Sequence, residues 1–287
     1  MKIIVTGATG KLGGLVVKHL LNKTSADQIV VVARDLKKAA SYIDHGIEVR
    51  YGDYNDIESL QKAFSGGDKL LLVSSSATDD TLRILQHTKV IKAAKDAQLK
   101  HIAYTGYAFA ESSDRPLSYL HASTEYAIRT TNIPYTFLRN CFYTEIFVTE
   151  EIKSAVESGV LANNAGNGKL NTVTRNDLAL AAATVLTEEG HENKSYNFTA
   201  SKLWSFEDLA SIISQVSNKN VVYKAVSFDE YKKILINAEV PEPVAMMMAG
   251  VYQAVSNGEA AKSSNDLAHF IGNPTPLVET VRQVLNN

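Results

Sequence analysis

The stretch KIIVTGATGKLGG, residues 2–14, limits the possible folds of this chain more than any other feature. A β-branched run, Lys2–Thr6, leads directly into three glycines, Gly7, Gly10 and Gly13. Leu12, Leu15, Val16, His19 and Leu20 then follow at helical spacing. The glycines have separate roles in such a junction. Gly7 permits a tight turn, Gly10 lets a ligand approach the backbone, and Gly13 lets the helix pack close to the strand. The helix mouth offers free N–H groups and the positive end of a dipole, which suits phosphate. A glycine motif alone could equally be an ordinary βα turn. Its context gives it weight here: a strand before it, a helix after it, and a second apolar strand, Gln28–Ala33, at the right distance.

That rhythm continues. Glu48–Tyr51, Lys69–Val73, Lys100–Thr105 and Tyr135–Leu138 read as strands. Asp56–Phe64, a long segment from about Asp79 to Gln98, and Tyr119–Thr131 read as helices between them. Near-continuous apolar strands separated by helices predict a parallel sheet covered on both faces. The fold class is therefore α/β, a Rossmann-type doubly wound parallel sheet with a smaller C-terminal α/β cap. Residues 1–145 are expected to form the dinucleotide-binding core. Residues 146–287 are expected to be mainly a substrate-binding cap, with some elements returning to the core. In that second part Glu150–Ser158, Asn176–Thr187 and Leu277–Leu285 read as helices and Tyr196–Thr199 as a strand. Ser205-x-x-Asp208 and Ser227-x-x-Glu230 read as capping boxes. Pro241 and Pro243 precede a Met-rich helical run.

Composition removes several classes of function. Of the 287 residues 45% are apolar and 21% charged, with a formal net charge of −2. That balance gives no reason to expect nucleic acid or an anionic membrane as partner. No apolar run reaches the length of a membrane span. The seven histidines do not fall at metal-ligand spacing with carboxylates, so no metal is expected. The single cysteine, Cys141, excludes an internal disulfide and reads as a packing residue. No secretory signal is expected at Met1, so a cytoplasmic location is expected. A homodimer is a possible assembly.

The cofactor expected at the glycine loop, over Gly7, Ala8, Thr9, Gly10, Lys11, Leu12 and Gly13, is a nicotinamide dinucleotide. NAD-binding folds usually carry an acidic residue at the end of the second strand to hold the ribose hydroxyls. Here that end reads Arg34-Asp35, with Lys37 and Lys38 after it. A guanidinium suits the 2′-phosphate of NADP, so NADPH is favoured over NADH, with Arg34 and Lys38 as contacts. Asp35 has a simpler role open to it, capping the next helix. Ser74 and Ser75 end the fourth strand, at an edge that borders the nicotinamide ribose in such folds.

The usual acid of dehydrogenases on this fold is missing. They carry Tyr-x-x-x-Lys, in which the tyrosine gives a proton to the substrate oxygen. None of the thirteen tyrosines here has a lysine four residues later. Tyr119 is followed at that distance by Ser123 and Tyr126 by Thr130. Two explanations remain open. The chain binds NADPH as a sensor without turnover, or it reduces an acceptor that takes hydride without a proton in the same step. A carbocation is such an acceptor, and a quinone is intermediate.

GATGKLGG, the arginine at the second strand end and the LRN-x-x-Y-T-E segment (Leu138 to Glu145) resemble the NmrA-like atypical short-chain dehydrogenases. More narrowly, HIAYTGYAFAE (101–111), TEYAIRTTNIPYTFLRN (124–140) and ALAAATVLTEEGHENKSYN (179–197) resemble the bacterial triphenylmethane reductases within that family. The resemblance implies NADPH-dependent reduction of cationic dyes such as malachite green and crystal violet, by direct hydride transfer to the central carbocation with no catalytic acid. It also implies that Asn140 and Phe142 lie beside the nicotinamide, Asn140 either bonding the carboxamide or holding the strand end. The related quinone reductases carry a lysine directly after the Thr-Glu pair, where this chain has Tyr126. That departure favours dyes over quinones. A flat cation suits an aromatic pocket. The candidates to line it are Tyr107, Phe109, Phe142, Tyr143, Trp204 and Met246. His121 and Glu125 stand four apart on a helix and read as a surface pair.

Overall fold

The structure, a computed structural model, describes residues 1–112 and 116–286. The contacts divide the chain into two compact units. One holds residues 1–140, 175–198 and 266–272; the other holds 141–174, 199–265 and 273–287.

The first unit is built on seven strands: β1 (Ile3–Thr6), β2 (Ile29–Ala33), β3 (Glu48–Tyr51), β4 (Lys69–Leu72), β5 (His101–Tyr107), β6 (Tyr135–Asn140) and β7 (Lys194–Phe198). They form one parallel sheet in the order β7-β6-β5-β4-β1-β2-β3. Every residue of β1 and β2 is buried, which is why both read as unbroken apolar runs. The helices are α1 (Lys11–Leu20), α2 (Ala40–Asp44), α3 (Ile57–Phe64), α4 (Asp80–Asp96), α5 (Pro116–Arg129), α6 (Arg175–Thr187) and α7 (Asp266–Ile271). Asp56 caps α3 by accepting from the Glu58 and Ser59 amides, and Asp79 caps α4 by accepting from that of Leu82. The strand order reverses between β1 and β4. In open α/β sheets that reversal leaves a crevice at the strands' carboxyl ends.

Two strands run further than their apolar patterns predict. β5 continues to Tyr107 and β6 to Asn140, because Gly106 stays in register with Arg139 and Tyr107 with Asn140. Pairing sustains these residues in extended form where the sequence shows no strand signal. The five-residue α2 is also absent from the sequence reading, since it buries none of its residues and leaves no periodic trace.

The second unit is helical, with three short strand pairs. Phe142–Tyr143 pairs parallel with Thr172–Val173, and Val160–Asn163 with Val222–Ala225; Lys169–Leu170 pairs antiparallel with Trp204–Ser205. Both predicted capping boxes form, at Ser205/Asp208 opening the helix Phe206–Ser217 and at Ser227/Glu230 opening Phe228–Asn237. The helix Glu242–Ser256 starts just after Pro241, as the prolines imply. Phe147 sits at the centre of the core, in edge-on contact with Phe142, Trp204, Phe206 and Tyr252. Among the described residues no helix is long and apolar enough to cross a membrane, and no group of His, Cys, Asp and Glu could hold a metal ion.

Candidate dinucleotide and acceptor site

The glycine loop stands at the crevice between β1 and β4. Thr6 ends β1 and joins the two strands there: its hydroxyl donates to the Leu71 carbonyl at 2.9 Å and accepts from the Val73 amide at 3.1 Å. The Tyr54 hydroxyl, 2.6 Å from Thr6 Oγ1 and 2.8 Å from the Val73 carbonyl, closes the joint. Burial pushes the Tyr54 phenol well above its ordinary range, so it stays a donor.

Gly7 turns the chain at φ +62°, a conformation that favours glycine. Its carbonyl accepts from the Gly10 amide at 2.9 Å, and the Ala8 carbonyl is held by the Tyr42 hydroxyl of α2 at 2.7 Å. Gly13 seats α1 on this turn. A Cβ there would lie 2.3 Å from the Gly7 oxygen and 2.7 Å from its carbonyl carbon. Gly10 is the N-cap of α1; it offers no side chain to the helix, and the first turn holds no acidic residue. The first N–H groups of α1 are therefore left to an external acceptor, and Lys11 adds an ammonium to the first turn. Thr9, Gly10 and Lys11 are exposed, whereas Ala8 and Leu12 are buried and offer a ligand only their backbone.

Arg34 is exposed one residue beyond β2, with Lys38 exposed nearby. Asp35 Oδ1 accepts from the Lys37 and Lys38 amides at 3.0 and 3.4 Å, closing a turn ahead of α2 rather than capping that helix, whose N-cap is Ala39. The strand end thus presents a guanidinium, with the neighbouring carboxylate held by the backbone.

Ser74 and Ser75 follow β4 and are tied inward. The Ser74 amide donates to Thr105 Oγ1 at 3.0 Å, and its hydroxyl accepts from Arg83 at 3.0 Å. The Ser75 amide donates to His87 Nε2 at 2.9 Å. That bond fixes the His87 tautomer. Nε2 accepts, so Nδ1 carries the proton and donates to Thr124 Oγ1 at 2.9 Å, while Thr124 donates on to the Leu120 carbonyl. Burial, with the Arg83 charge adding to it, lowers His87 to about 4, so the ring is neutral.

β5 ends above a second imidazole. The Tyr104 hydroxyl lies 2.7 Å from His121 Nδ1, and the Tyr107 ring stacks on His121 with centroids 6.3 Å apart. Burial lowers His121 to about 3. The expected surface pair of His121 with Glu125 does not form. Both residues are buried, and Glu125 instead receives Arg139 of β6 through Nε at 2.8 Å and Nη2 at 2.6 Å. Arg139 also binds Glu111. Burial pushes the Glu125 carboxyl up, and Arg139 opposes that shift. Helical spacing suggested the His–Glu pair; the register of β6 supplied a better partner for the acid. Phe109 adopts φ +58°, and its amide donates to Asn197 Oδ1 at 3.0 Å.

Asn140 ends β6. Its backbone carbonyl accepts from the Ala108 amide at 2.9 Å, and its side-chain Oδ1 is buried without a hydrogen-bond partner among the described residues. A buried, unsatisfied acceptor is uncommon and calls for a donor. A carboxamide N–H₂ is such a donor. The loop, Arg34 and Asn140 together fit a nicotinamide dinucleotide.

In the second unit Phe142 and Tyr143 are half-buried. Cys141 before them is buried, and burial raises its thiol, which makes it a packing residue. Trp204 is 7% exposed, its Nε1 donating to Thr172 Oγ1 at 2.9 Å. Met246 and Met247 are exposed on their helix, whereas Met248 packs against the core. The aromatic candidates thus stand in two groups, Tyr107 and Phe109 in the first unit and Phe142, Tyr143 and Trp204 in the second. The buried His87–Thr124 and Glu125–Arg139 pairs have no signature in sequence, because each depends on contacts between distant elements.

The family model for the NmrA-like family matches residues 1–279. Quinone oxidoreductase 2 of Escherichia coli (strain K12) is 38% identical over 99% of this chain and 99% of its own. The crystal structure of the Citrobacter sp. triphenylmethane reductase complexed with NADP(H) superposes at a TM-score of 0.97 and 59% identity, covering 99% of this chain and 100% of that one. The NADPH-dependent quinone oxidoreductase from Escherichia coli, complexed with NADPH, superposes at 0.92 and 38% identity, covering 99% and 100%.

Proposed function

Because the chain belongs to the NmrA-like family, we propose that it is an NADPH-dependent oxidoreductase whose acceptor is a small planar aromatic electrophile, with cationic triphenylmethane dyes first in order. The observation that carries the cofactor assignment is the cradle at α1: an uncapped helix mouth seated by Gly13 on the Gly7 turn. The Gly7–Gly13 loop would hold the pyrophosphate through backbone N–H groups. Arg34 would take the 2′-phosphate, with Lys38 adding charge, and Asn140 Oδ1 would accept from the carboxamide. When bound, the dinucleotide supplies a hydride. The candidates for contact with the acceptor are Tyr107 and Phe109 of the first unit and, separately, Phe142, Tyr143, Trp204 and Met246 of the second.

What the protein withholds is as informative. Tyr104 is fully buried, bonded to His121 and raised by burial, so it gives no proton to a substrate. Tyr119 and Tyr126 lie exposed on α5 without a lysine partner. An acceptor that needs no proton in the hydride step matches such a site, and a triarylmethane cation is neutralised by hydride alone. The 58% identity to the Citrobacter sp. triphenylmethane reductase over all of both chains supports this choice. The 38% identity to quinone oxidoreductase 2 favours quinones as a second acceptor class, the hydroquinone anion taking its proton from water.

The test mixes purified protein with NADPH and malachite green and follows dye bleaching against cofactor loss, with NADH and menadione arms. Matched bleaching and NADPH loss is the expected result. NADPH loss only with menadione would move the assignment to a quinone reductase. NADPH binding without consumption in any arm would remove the catalytic reading and leave a sensor.

A further inference from the structure

Arg83 stands near the start of α4 with its side chain only 15% exposed. Its Nη2 donates to Ser74 Oγ at 3.0 Å, just beyond β4, and the Ser74 amide donates to Thr105 Oγ1 of β5 at 3.0 Å. These bonds fix the guanidinium at the sheet's carboxyl edge, the edge at which Asn140 ends β6. All four residues belong to the first unit. We propose that Arg83 sets the acceptor preference, favouring acceptors that become anionic on taking hydride and opposing cationic ones.

The charge is not neutralised from the protein side. Arg83 Nε is buried with no hydrogen-bond partner among the described residues, an uncommon state for a donor. The neighbouring carboxylates lie on the water side. Asp80 meets Nη1 at 3.4 Å from a side chain that is 44% exposed, and ion pairs open to water contribute little. Asp79 is exposed and accepts from the Leu82 amide as the cap of α4. Towards the interior the guanidinium dominates. Burial first, and then the Arg83 charge, lowers both His87 and His121, and no carboxylate among the described residues opposes it at either ring.

This inference rests on the reductase reading and concerns which acceptors it serves. Hydride carries two electrons, and NADPH becomes NADP⁺ in either case. A neutral quinone that takes hydride becomes the hydroquinone monoanion, which then takes its second proton from water. A dye cation that takes hydride gains a C–H bond at its central carbon and becomes the neutral leuco form. A fixed positive charge at the sheet edge stabilises the developing anion of the first path. The same charge opposes binding of the cation on which the second path depends. Arg83 therefore works for quinones and against dyes, and the balance between the two classes turns on one side chain.

The test compares Arg83→Met and Arg83→Lys with the parental protein, measuring kcat/KM for menadione and for malachite green at saturating NADPH. Arg83→Met should lose about tenfold with menadione and gain about threefold with malachite green, as one partly screened charge several Å away would produce. Arg83→Lys keeps the charge and should stay near the parent with both. A merely structural role would lower both acceptors together. A second readout needs no turnover: calorimetry of NADP⁺-saturated protein with the 2-hydroxy-1,4-naphthoquinone anion and with malachite green. Arg83→Met should weaken the anion about tenfold and tighten the dye about threefold. An unchanged ratio between the acceptors, a parallel fall in both, or Arg83→Lys behaving as Arg83→Met would overturn the assignment while leaving the reductase reading in place. A parental protein that consumes NADPH with neither acceptor would overturn the reductase reading. Calorimetry then decides the charge preference by itself, and an equal response of both ligands to Arg83→Met would overturn it.

Discussion

Gly13→Ala tests whether the α1 cradle is built by backbone contact. The new Cβ would stand 2.3 Å from the Gly7 oxygen, 2.7 Å from its carbonyl carbon and 3.0 Å from Ala8 Cα, all backbone atoms. Carbon contacts settle at about 3.5–4.0 Å, so helix and turn must part by roughly 1 Å. Two effects compete. Alanine is favoured over glycine within a helix by about 0.5–1 kcal/mol. Forcing extra volume into a fitted contact costs about 1–3 kcal/mol. The clash wins, for a net loss of about 1–2 kcal/mol. Binding should suffer more, since a 1 Å shift misplaces N–H groups meant for phosphate, and a hydrogen bond to a charged group contributes about 1.5–3 kcal/mol. NADPH affinity should fall by about tenfold to a hundredfold. Fluorescence titration of NADPH and urea unfolding measure the two losses. Gly10→Ala is the control for unfolding only: its Cβ meets the Gly7 oxygen at 3.2 Å and its φ of −90° suits any residue, so its stability should change little. The reasoning is refuted if Gly13→Ala keeps parental NADPH affinity and unfolding midpoint, or if Gly10→Ala lowers the unfolding midpoint more than Gly13→Ala does.

Three further substitutions test other parts of the site. Arg34→Ala, at an exposed position, should cost about tenfold in NADPH affinity with NADH binding and stability unchanged; equal losses for both cofactors in a binding titration would dissociate Arg34 from the 2′-phosphate. His87 is depressed to about 4 in the folded state. The unfolded chain therefore binds the extra proton first, and stability should drop as pH falls from about 6.5 toward 4, by up to about 1.4 kcal/mol per pH unit from this group. In His87→Gln, urea unfolding across that window should show a shallower slope; an unchanged slope would contradict burial of a neutral ring. Arg139→Met should destabilise by about 3–5 kcal/mol by leaving Glu125 buried and unpaired. Arg139→Met with Glu125→Met should recover most of that in denaturant unfolding, and a double variant no more stable than the single would deny the pairing.

The features legible in sequence share a local cause. β1 and β2 read as strands because every one of their residues is buried, and the two capping boxes formed because each is closed within four residues. Where partners are distant, the reading fails in a consistent direction. Glu125 and His121 look like a pair at four-residue spacing, yet the acid's partner lies fourteen residues away on β6. Val160–Asn163 and Val222–Ala225 leave little pattern because most of their residues are not buried, and they become strands only by pairing across some sixty positions of chain. Asn140 was legible as a residue of interest, but its meaning comes from an unsatisfied Oδ1, which only the packed structure reveals.

The missing acid then takes on a structural sense. The buried face of α5 is occupied by His121 against Tyr104, Thr124 against His87 and Glu125 against Arg139. Those pairs leave no room on that face for a tyrosine directed at a ligand, and Tyr119 and Tyr126 are 58% and 63% exposed. The imidazoles do not replace it. Rings held at about 3 and about 4 are neutral at physiological pH, and a neutral imidazole is a poor proton donor. Burial thus disarms the very groups that could have served as acids. Under the proposed function, such an enzyme would discriminate among acceptors by their need for a proton: carbocations need none, quinones can take theirs from water, and simple ketones require one in the hydride step.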